Sequence, residues 1–333
     1  MTPFPSQVSQ ALVPPVAEMS QPPPAAPRVD LEELDRLGVT VVRQLLPPAL
    51  TAALRAATDQ LLQESEQEAA SVSAEGSEAA PPRTVHDLRD MRLYSGSQRS
   101  VLAAAVAEPR SLGVAQLTHR CEEGELQLIE QVLIKTDPST PVQGHGPTNW
   151  HLDWVFLREH ADAVPRETYF HMVTYLSDVR PGQAAFTIVP GSHHKTYAAA
   201  AKLSSIEGLE QWGGELGQAG GPFAALKDDP VGVAGIDTSA AIEITASEGD
   251  CVIFNPMCLH SGSTNSTVDP RYVYFQSYFS RSATYLAAGL KGGYQQGEAK
   301  AQAAEALAQA LPAELRHLLD SRRAPPPQQQ PRL

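Results

Sequence analysis

The segment Trp150-His151-Leu152-Asp153-Trp154 places an imidazole and a carboxylate two residues apart. On an extended strand residues i and i+2 point to one face, so His151 and Asp153 can present both groups to a single ion. Two ligands do not make a site. Chance produces an H-x-D about once in every two chains with this many histidines, and this chain carries a second one at His160-Ala161-Asp162. His160 lies in the charged run REHADAVPRE, outside any strand pattern, and reads as a solvated turn. A distal histidine lifts the first pair above that background. Gly249-Asp250-Cys251-Val252-Ile253-Phe254 reads as a turn entering a buried strand, and His260 follows at the head of a Ser/Gly/Thr/Asn loop. Arg271 then opens the alternating strand Arg271-Tyr272-Val273-Tyr274-Phe275, with its guanidinium on the face of Val273 and Phe275. A cation at the start of an apolar face needs an anion, and a bidentate carboxylate is the natural one. The plainer account is a structural salt bridge to a nearby acid.

Two histidines and an aspartate form a facial set with three coordination positions open. That arrangement favours non-haem Fe(II) activating O2 beside a chelating co-substrate. Zinc takes the same ligand types with one open position and a water, which would give a hydrolase. Arg271 argues between them, because a carboxylate anchored there implies a co-substrate with a second acid group. Other histidines fit a site less well. His145 sits in the flexible loop GHGPTN, and His193-His194 reads as turn surface, since adjacent strand side chains point apart. Trp150 and Trp154 share parity with Leu152 and are expected in the core. Tyr272, Tyr274 and Tyr278 form a stripe opposite Arg271, expected to pack between sheets. Gln131 shares parity with Leu133 and Lys135 and is expected to face the pocket.

These residues need strands to position them, and from Glu125 onward the chain supplies short alternating segments. They run over Leu126 to Ile134, Thr168 to Leu176, Ala184 to Val189, Ala241 to Thr245, Asp250 to Phe254 and Arg271 to Phe279. Turns of Pro-Gly, Gly-Ser and Asn-Pro type separate them. The expected fold is mainly β with flanking helices, a double-stranded β-helix or jelly-roll core. Ahead of it a short helix, VDLEELDRLG, leads into the strand VTVV, and Pro47-Pro48 opens a second helix from Ala49 to about Gln63. Glu64 to Pro82 is acidic and Ser/Ala-rich and suits a solvated loop; Ser100 to Ala107 is helical again. Residues 196–239 form a Gly-rich insert, with a short helix around Trp212, that reads as a possible lid. Gly297 to Leu319 is helical, bent or restarted at Pro312. The organisation expected is a Pro-rich tail over 1–28, holding eight of the 28 prolines, one domain over 29–320, and a second tail over 321–333.

Composition narrows the partners. A formal net charge of -13 leaves no broad cationic face for nucleic acid or anionic lipid. No run of about 18 apolar residues exists, and the N-terminus lacks a basic and apolar leader pattern. Three cysteines, Cys121, Cys251 and Cys258, are too few for a disulfide scaffold and read as reduced thiols in a cytoplasmic protein. The terminal Arg-Leu only half resembles a peroxisomal address, because Pro331 stands where a small residue is wanted.

Several spaced pieces occur in an order that resembles the phytanoyl-CoA dioxygenase-like branch of the Fe(II)/2-oxoglutarate-dependent oxygenases. They are VTVVRQLLPPAL, LIKTDP, HLD, IVPGSHH, GDCVIFNPMCLHSGSTNST and Arg271, spanning roughly Asp30 to Ser280. The resemblance implies Fe(II) held by His151, Asp153 and His260, 2-oxoglutarate with its distal carboxylate on Arg271, and O2 at the remaining position. It implies co-substrate support from Lys135 and a polar loop carrying Asn265 and Thr267. The activity implied is oxidation, by default hydroxylation, of a C–H bond in a small organic substrate, with release of succinate and CO2. Two departures stand out. His260-Ser261-Gly262-Ser263 displaces the serine usual after the histidine, and Tyr169, His171 and Tyr175 compete for an aromatic place after the HxD strand. Asp153 is present where the halogenases of the family have Gly or Ala, so halogenation is not implied. A metal- and 2-oxoacid-binding protein without turnover is the alternative within the same fold.

Overall fold

The computed structural model describes residues 28–73, 85–88, 96–139, 150–153, 170–204, 226, 229–282 and 298–321. Helix α1 (Leu31–Leu37) starts where Asp30 Oδ1 accepts the Glu33 N–H at 2.8 Å and stops at Gly38, whose φ of 71° lets its N–H reach back to Leu34 O. The chain turns directly into β1 (Val39–Val42). Helix α2 (Pro48–Ser73) follows and runs ten residues past the expected end at Gln63. Glu, Gln and Ala are good helix formers, and Gln60 donates to Glu64 one turn on, so the acidic stretch continues the helix rather than looping. Next come β2 (Val85–Leu88), α3 (Gly96–Val106) and α4 (Pro109–His119). Neither β2 nor α4 was expected, although Glu108 and Pro109 form an N-terminal signal: the Glu108 carboxylate accepts the Arg110 N–H, and proline occupies the first turn.

The strands that follow are β3 (Leu126–Thr136), β4 (Phe170–Tyr175), β5 (Phe186–Ile188), β6 (Ile242–Ile244), β7 (Cys251–Phe254), β8 (His260–Ser261) and β9 (Arg271–Ser280). Each of the six expected segments is a strand, and β8 was not foreseen. A six-stranded sheet has the order β1-β7-β4-β9-β3-β2, and a three-stranded sheet the order β6-β5-β8. Every pairing is antiparallel. This is a jelly-roll double sheet, with no closed barrel among the described residues. Helices α5 (Ser192–Ser204), α6 (Pro230–Ala234) and α7 (Glu298–Ala310) complete the order, and Pro312 opens a 3-10 segment over Ala313–Leu319.

Burial divides the molecule into layers. Met172, Ile253, Tyr274 and Tyr278 on one face of the large sheet pack against Leu54, Leu61, Leu102 and Leu307 of the helices. Tyr274 and Tyr278 therefore join sheet to helices, correcting the expectation that they pack between sheets. Val173, Tyr175, Val252 and Val273 on the other face meet Phe186, Ile188 and Ile244 of the small sheet. Burial of side chains this size contributes roughly 1.5–3 kcal/mol each before chain entropy is counted. A third cluster holds Leu152, Met257 and Leu259 together with Leu226, Val231 and Ile236 of the Gly-rich insert. The described parts of that insert thus buttress the back of the HxD segment. The helix expected around Trp212 and both tails lie outside the described residues.

Candidate metal centre

His151 and His260 sit directly opposite one another as an antiparallel bridge. The His151 N–H donates to His260 O at 2.9 Å, the His260 N–H to His151 O at 3.1 Å, and the Asp153 N–H to Pro256 O at 3.0 Å. Leu152 and Trp150 turn to the other side, into the third cluster, so parity delivers His151 and Asp153 to one face. Strand β7, which precedes the segment carrying His260, is fixed at its start by Gly249 and Asp250. Gly249 has φ 87°, and a Cβ there would lie 2.7 Å from Leu46 O. The buried Asp250 carboxylate accepts from Gln44 N at 2.9 Å and Ser247 N at 3.0 Å and pairs with Arg43 at 2.7 Å.

Among the described residues, His151, Asp153 and His260 bring one ligand atom each to within 4.8 Å of one another. His260 Nε2 lies 3.1 Å from Asp153 Oδ2, and His151 Nε2 3.5 Å from Asp153 Oδ1. His260 Nδ1 is 2.8 Å from the Cys258 carbonyl, so in a neutral ring the proton is on Nδ1 and the Nε2 lone pair faces the carboxylate. Two lone-pair donors aimed at each other over that distance repel, and a cation between them removes the repulsion. The donor set therefore fits a divalent ion. Burial pushes the Asp153 carboxyl upward, yet His260 first, then His171 and His151, hold it well below the usual carboxylate range. The His260 side chain is only 4 % exposed, against 34 % for Asp153 and 39 % for His151, so the cluster opens on the side of His151 and Asp153, away from His260.

Arg271, the first residue of β9, lies opposite Thr136 of β3 in register. It donates from Nη2 to Thr136 Oγ1 at 3.0 Å and from Nη1 to the Ala184 carbonyl, while its Nε is enclosed without a hydrogen-bond partner. Burial pushes the guanidinium down from its ordinary value, with only Tyr175 opposing. Among the described residues no carboxylate pairs with it, so the structural salt bridge is not found there. Two residues along from Ala184, about 7 Å of chain, the Phe186 ring is 5.4 Å from His260.

The remaining sequence candidates are placed differently. Lys135 pairs with Tyr272, one position out of phase with Thr136 and Arg271, and reaches Asp59 of α2 at 3.0 Å. Gln131 shares that helix-facing side, where its Oε1 accepts the Tyr274 hydroxyl at 2.7 Å. Both side chains thus lie on the helix side rather than the pocket side: beyond the bulge at Leu128/Glu130 the odd positions of β3 face the helices, and Thr136 stands beside Arg271 instead. Asn265 is buried and donates to Thr136 O at 3.1 Å and Asp269 O at 2.8 Å, while its Oδ1 accepts the Thr267 hydroxyl at 2.8 Å. These two shape the loop that leads into Arg271. Ser263 bonds Thr187 at 2.8 Å, and Ser261 pairs with Thr187, so both share the side of β8 away from His260. His193 begins α5 and is buried, with Nδ1 3.3 Å from Cys258 Sγ, and its ring lies 3.9 Å from that of His194. A helix start rather than a strand brings the two together; burial corrects the surface reading for His193, while His194 is exposed as expected. His145, Trp154, His160 and Tyr169 lie outside the described residues. Sequence reasoning missed Thr136 as the neighbour of Arg271, since strand register is not written in one strand alone.

The antiparallel double sheet gathers two imidazoles and a carboxylate at one side, with an enclosed arginine on the facing sheet. Residues 34–273 match the phytanoyl-CoA dioxygenase (PhyH) family, and the chain belongs to it. By that membership it is an Fe- and 2-oxoglutarate-dependent enzyme. No curated protein matches the sequence. Among solved structures, the fold is similar to the non-haem alpha-ketoglutarate-dependent carbocyclase SnoK from nogalamycin biosynthesis, at 15 % identity over 75 % of this chain and 82 % of that one, TM-score 0.48. AviO1 from Streptomyces viridochromogenes is 16 % identical over 76 % and 94 %, TM-score 0.48. HygX from Streptomyces hygroscopicus, solved with nickel and 2-oxoglutarate, is 16 % identical over 76 % and 88 %, TM-score 0.46. No helix among the described residues is long and apolar enough to cross a membrane.

Proposed function

We propose that this enzyme hydroxylates a C–H bond of a small organic substrate, with His151, Asp153 and His260 holding Fe(II) and Arg271 holding the distal carboxylate of 2-oxoglutarate. Fe(II) bound there supplies O2 activation coupled to decarboxylation, so that R–H, O2 and 2-oxoglutarate give R–OH, succinate and CO2. The single observation that carries the reading is the enclosed guanidinium of Arg271, which has two neutral acceptors and no carboxylate among the described residues. A buried cation of that kind calls for an anion, and the distal carboxylate of a keto-diacid supplies one. A zinc hydrolase gives it none to hold. Thr136 orients the guanidinium, and Asn265 with Thr267 fixes the loop before it. The Cys258 carbonyl keeps His260 in the tautomer that offers Nε2 to the metal. Apolar walls from Phe186, Val273 and Phe275 limit water beside the centre. Substrate enters from the His151 side, where the cluster is most exposed. One catalytic domain over 29–320 and a cytoplasmic setting, with its three free thiols, complete the proposal.

The test is succinate formation in the presence of Fe(II) and 2-oxoglutarate, measured together with a substrate mass gain of one oxygen in a metabolite extract. Succinate should vanish in His151→Ala and in Asp153→Ala. Full turnover in either variant, or a product without added oxygen, overturns the assignment.

A further inference from the structure

A fourth imidazole stands beside the candidate centre. His171, on the central strand β4, is held by register pairs on both sides, to Phe254 of β7 and Ser277 of β9. Its ring packs between those of Phe254, at 5.1 Å, and Phe275, at 4.7 Å. Nδ1 lies 2.5 Å from Ser277 Oγ, and Nε2 lies 3.6 Å from Asp153 Oδ2, a little beyond hydrogen-bond distance in the metal-free protein. The Ser277 hydroxyl can donate or accept, so the carboxylate facing Nε2 decides which nitrogen carries the proton. If the hydroxyl donates to Nδ1, Nε2 bears the hydrogen and points it at the carboxylate; the opposite choice sets an Nε2 lone pair against Asp153 and repels it.

We propose that His171 is a positioning residue for Asp153: with Ser277 donating to Nδ1 it carries its proton on Nε2, closes onto the carboxylate as metal binds and sets the orientation in which Asp153 meets the metal. This rests on the reading of His151, Asp153 and His260 as the metal ligands. His260 Nε2 crowds the same Asp153 oxygen at 3.1 Å. That nitrogen offers a lone pair and no hydrogen, so the imidazole placed to donate to the carboxylate is His171. A ring clamped on a doubly paired strand holds such a donor more firmly than a loop residue does.

The experiment is anaerobic titration of the full chain with Co(II), followed by calorimetry and visible absorption, alongside melting of the metal-free protein. His171→Phe keeps the ring packing and removes the N–H; the Co(II) Kd should rise about 10- to 100-fold with an altered absorption spectrum. His171→Gln, whose amide N–H can stand near the Nε2 position, should recover most of that loss. Ser277→Ala, which leaves the imidazole in place but frees its tautomer, should weaken Co(II) binding in the same direction. Should His171→Phe fail to fold, Ser277→Ala decides. Wild-type affinity and spectrum in the folded variants overturn the donor role alone. A wild-type chain that takes up no Co(II), or binds it equally well as Asp153→Ala, overturns the ligand assignment beneath it.

Discussion

Replacing Arg271 with methionine separates a co-substrate anchor from a structural cation, because the two readings predict opposite effects. In the ligand-free protein the guanidinium donates to Ala184 O and Thr136 Oγ1, and its Nε is enclosed without a hydrogen-bond partner. Losing those two bonds costs about 1 kcal/mol each. Removing a desolvated charge that lacks a described carboxylate partner returns a similar amount or more. The net change should lie within about 1 kcal/mol of zero, a Tm shift of no more than about 4 °C for a chain of this size. Affinity for 2-oxoglutarate should respond far more strongly. Deleting one partner of a buried ion pair costs about 3–5 kcal/mol, which at about 1.4 kcal/mol per decade is a rise in Kd of roughly two to three and a half orders of magnitude. Arg271→Lys keeps the charge but loses the two-pronged donor, so it should fall between. Calorimetric titration of 2-oxoglutarate into Co(II)-loaded protein, with thermal melts of the ligand-free variants, reads both effects. A melting temperature lowered by ten degrees or more with 2-oxoglutarate affinity intact would refute the reasoning.

Gly38→Ala should destabilise the chain by about 2–4 kcal/mol in urea denaturation, since φ is 71° and a Cβ would come 2.2 Å from Cys258 Sγ and 2.6 Å from His193 Nδ1; an unchanged midpoint would show that the α1 to β1 junction is not packed as described. The three thiols should resist alkylation. Burial, with Glu125 nearby, pushes Cys121 up to about 11, and burial pushes Cys251 and Cys258 up to about 12. A raised thiol pKa leaves less thiolate at any lower pH, so at pH 8 native Cys121 should react with iodoacetamide at least about 100-fold more slowly than a free thiol of pKa about 8.5. Rapid labelling by mass spectrometry in the native protein would contradict that environment.

How far the sequence could be read follows from the range over which each signal acts. The HxD pair, the Gly249-Asp250 turn and the Arg271 strand are local patterns of period two, and all three are legible residue by residue. Helix α1 is equally local, with Asp30 and Gly38 marking its ends. The opposition of His151 and His260 depends on a two-residue strand, His260–Ser261, too short to show alternation. The exchange of Lys135 for Thr136 beside Arg271 is a one-residue matter of register between β3 and β9, and a shift of one moves a side chain to the other face. The sequence order places His171 among competing aromatics, but only pairing to both Phe254 and Ser277 brings it to Asp153. The acidic end of α2 was misjudged because charge alone does not distinguish a solvated helix face from a loop.

The most direct test of the central claim is a crystal structure of the protein loaded anaerobically with Fe(II) and 2-oxoglutarate. One ion should bind His151 Nε2, the Asp153 carboxylate and His260 Nε2, with the keto acid chelating it and the distal carboxylate lying on the Arg271 guanidinium. An ion bound without all three of those side chains, or a 2-oxoglutarate whose distal carboxylate is held elsewhere, would contradict the account.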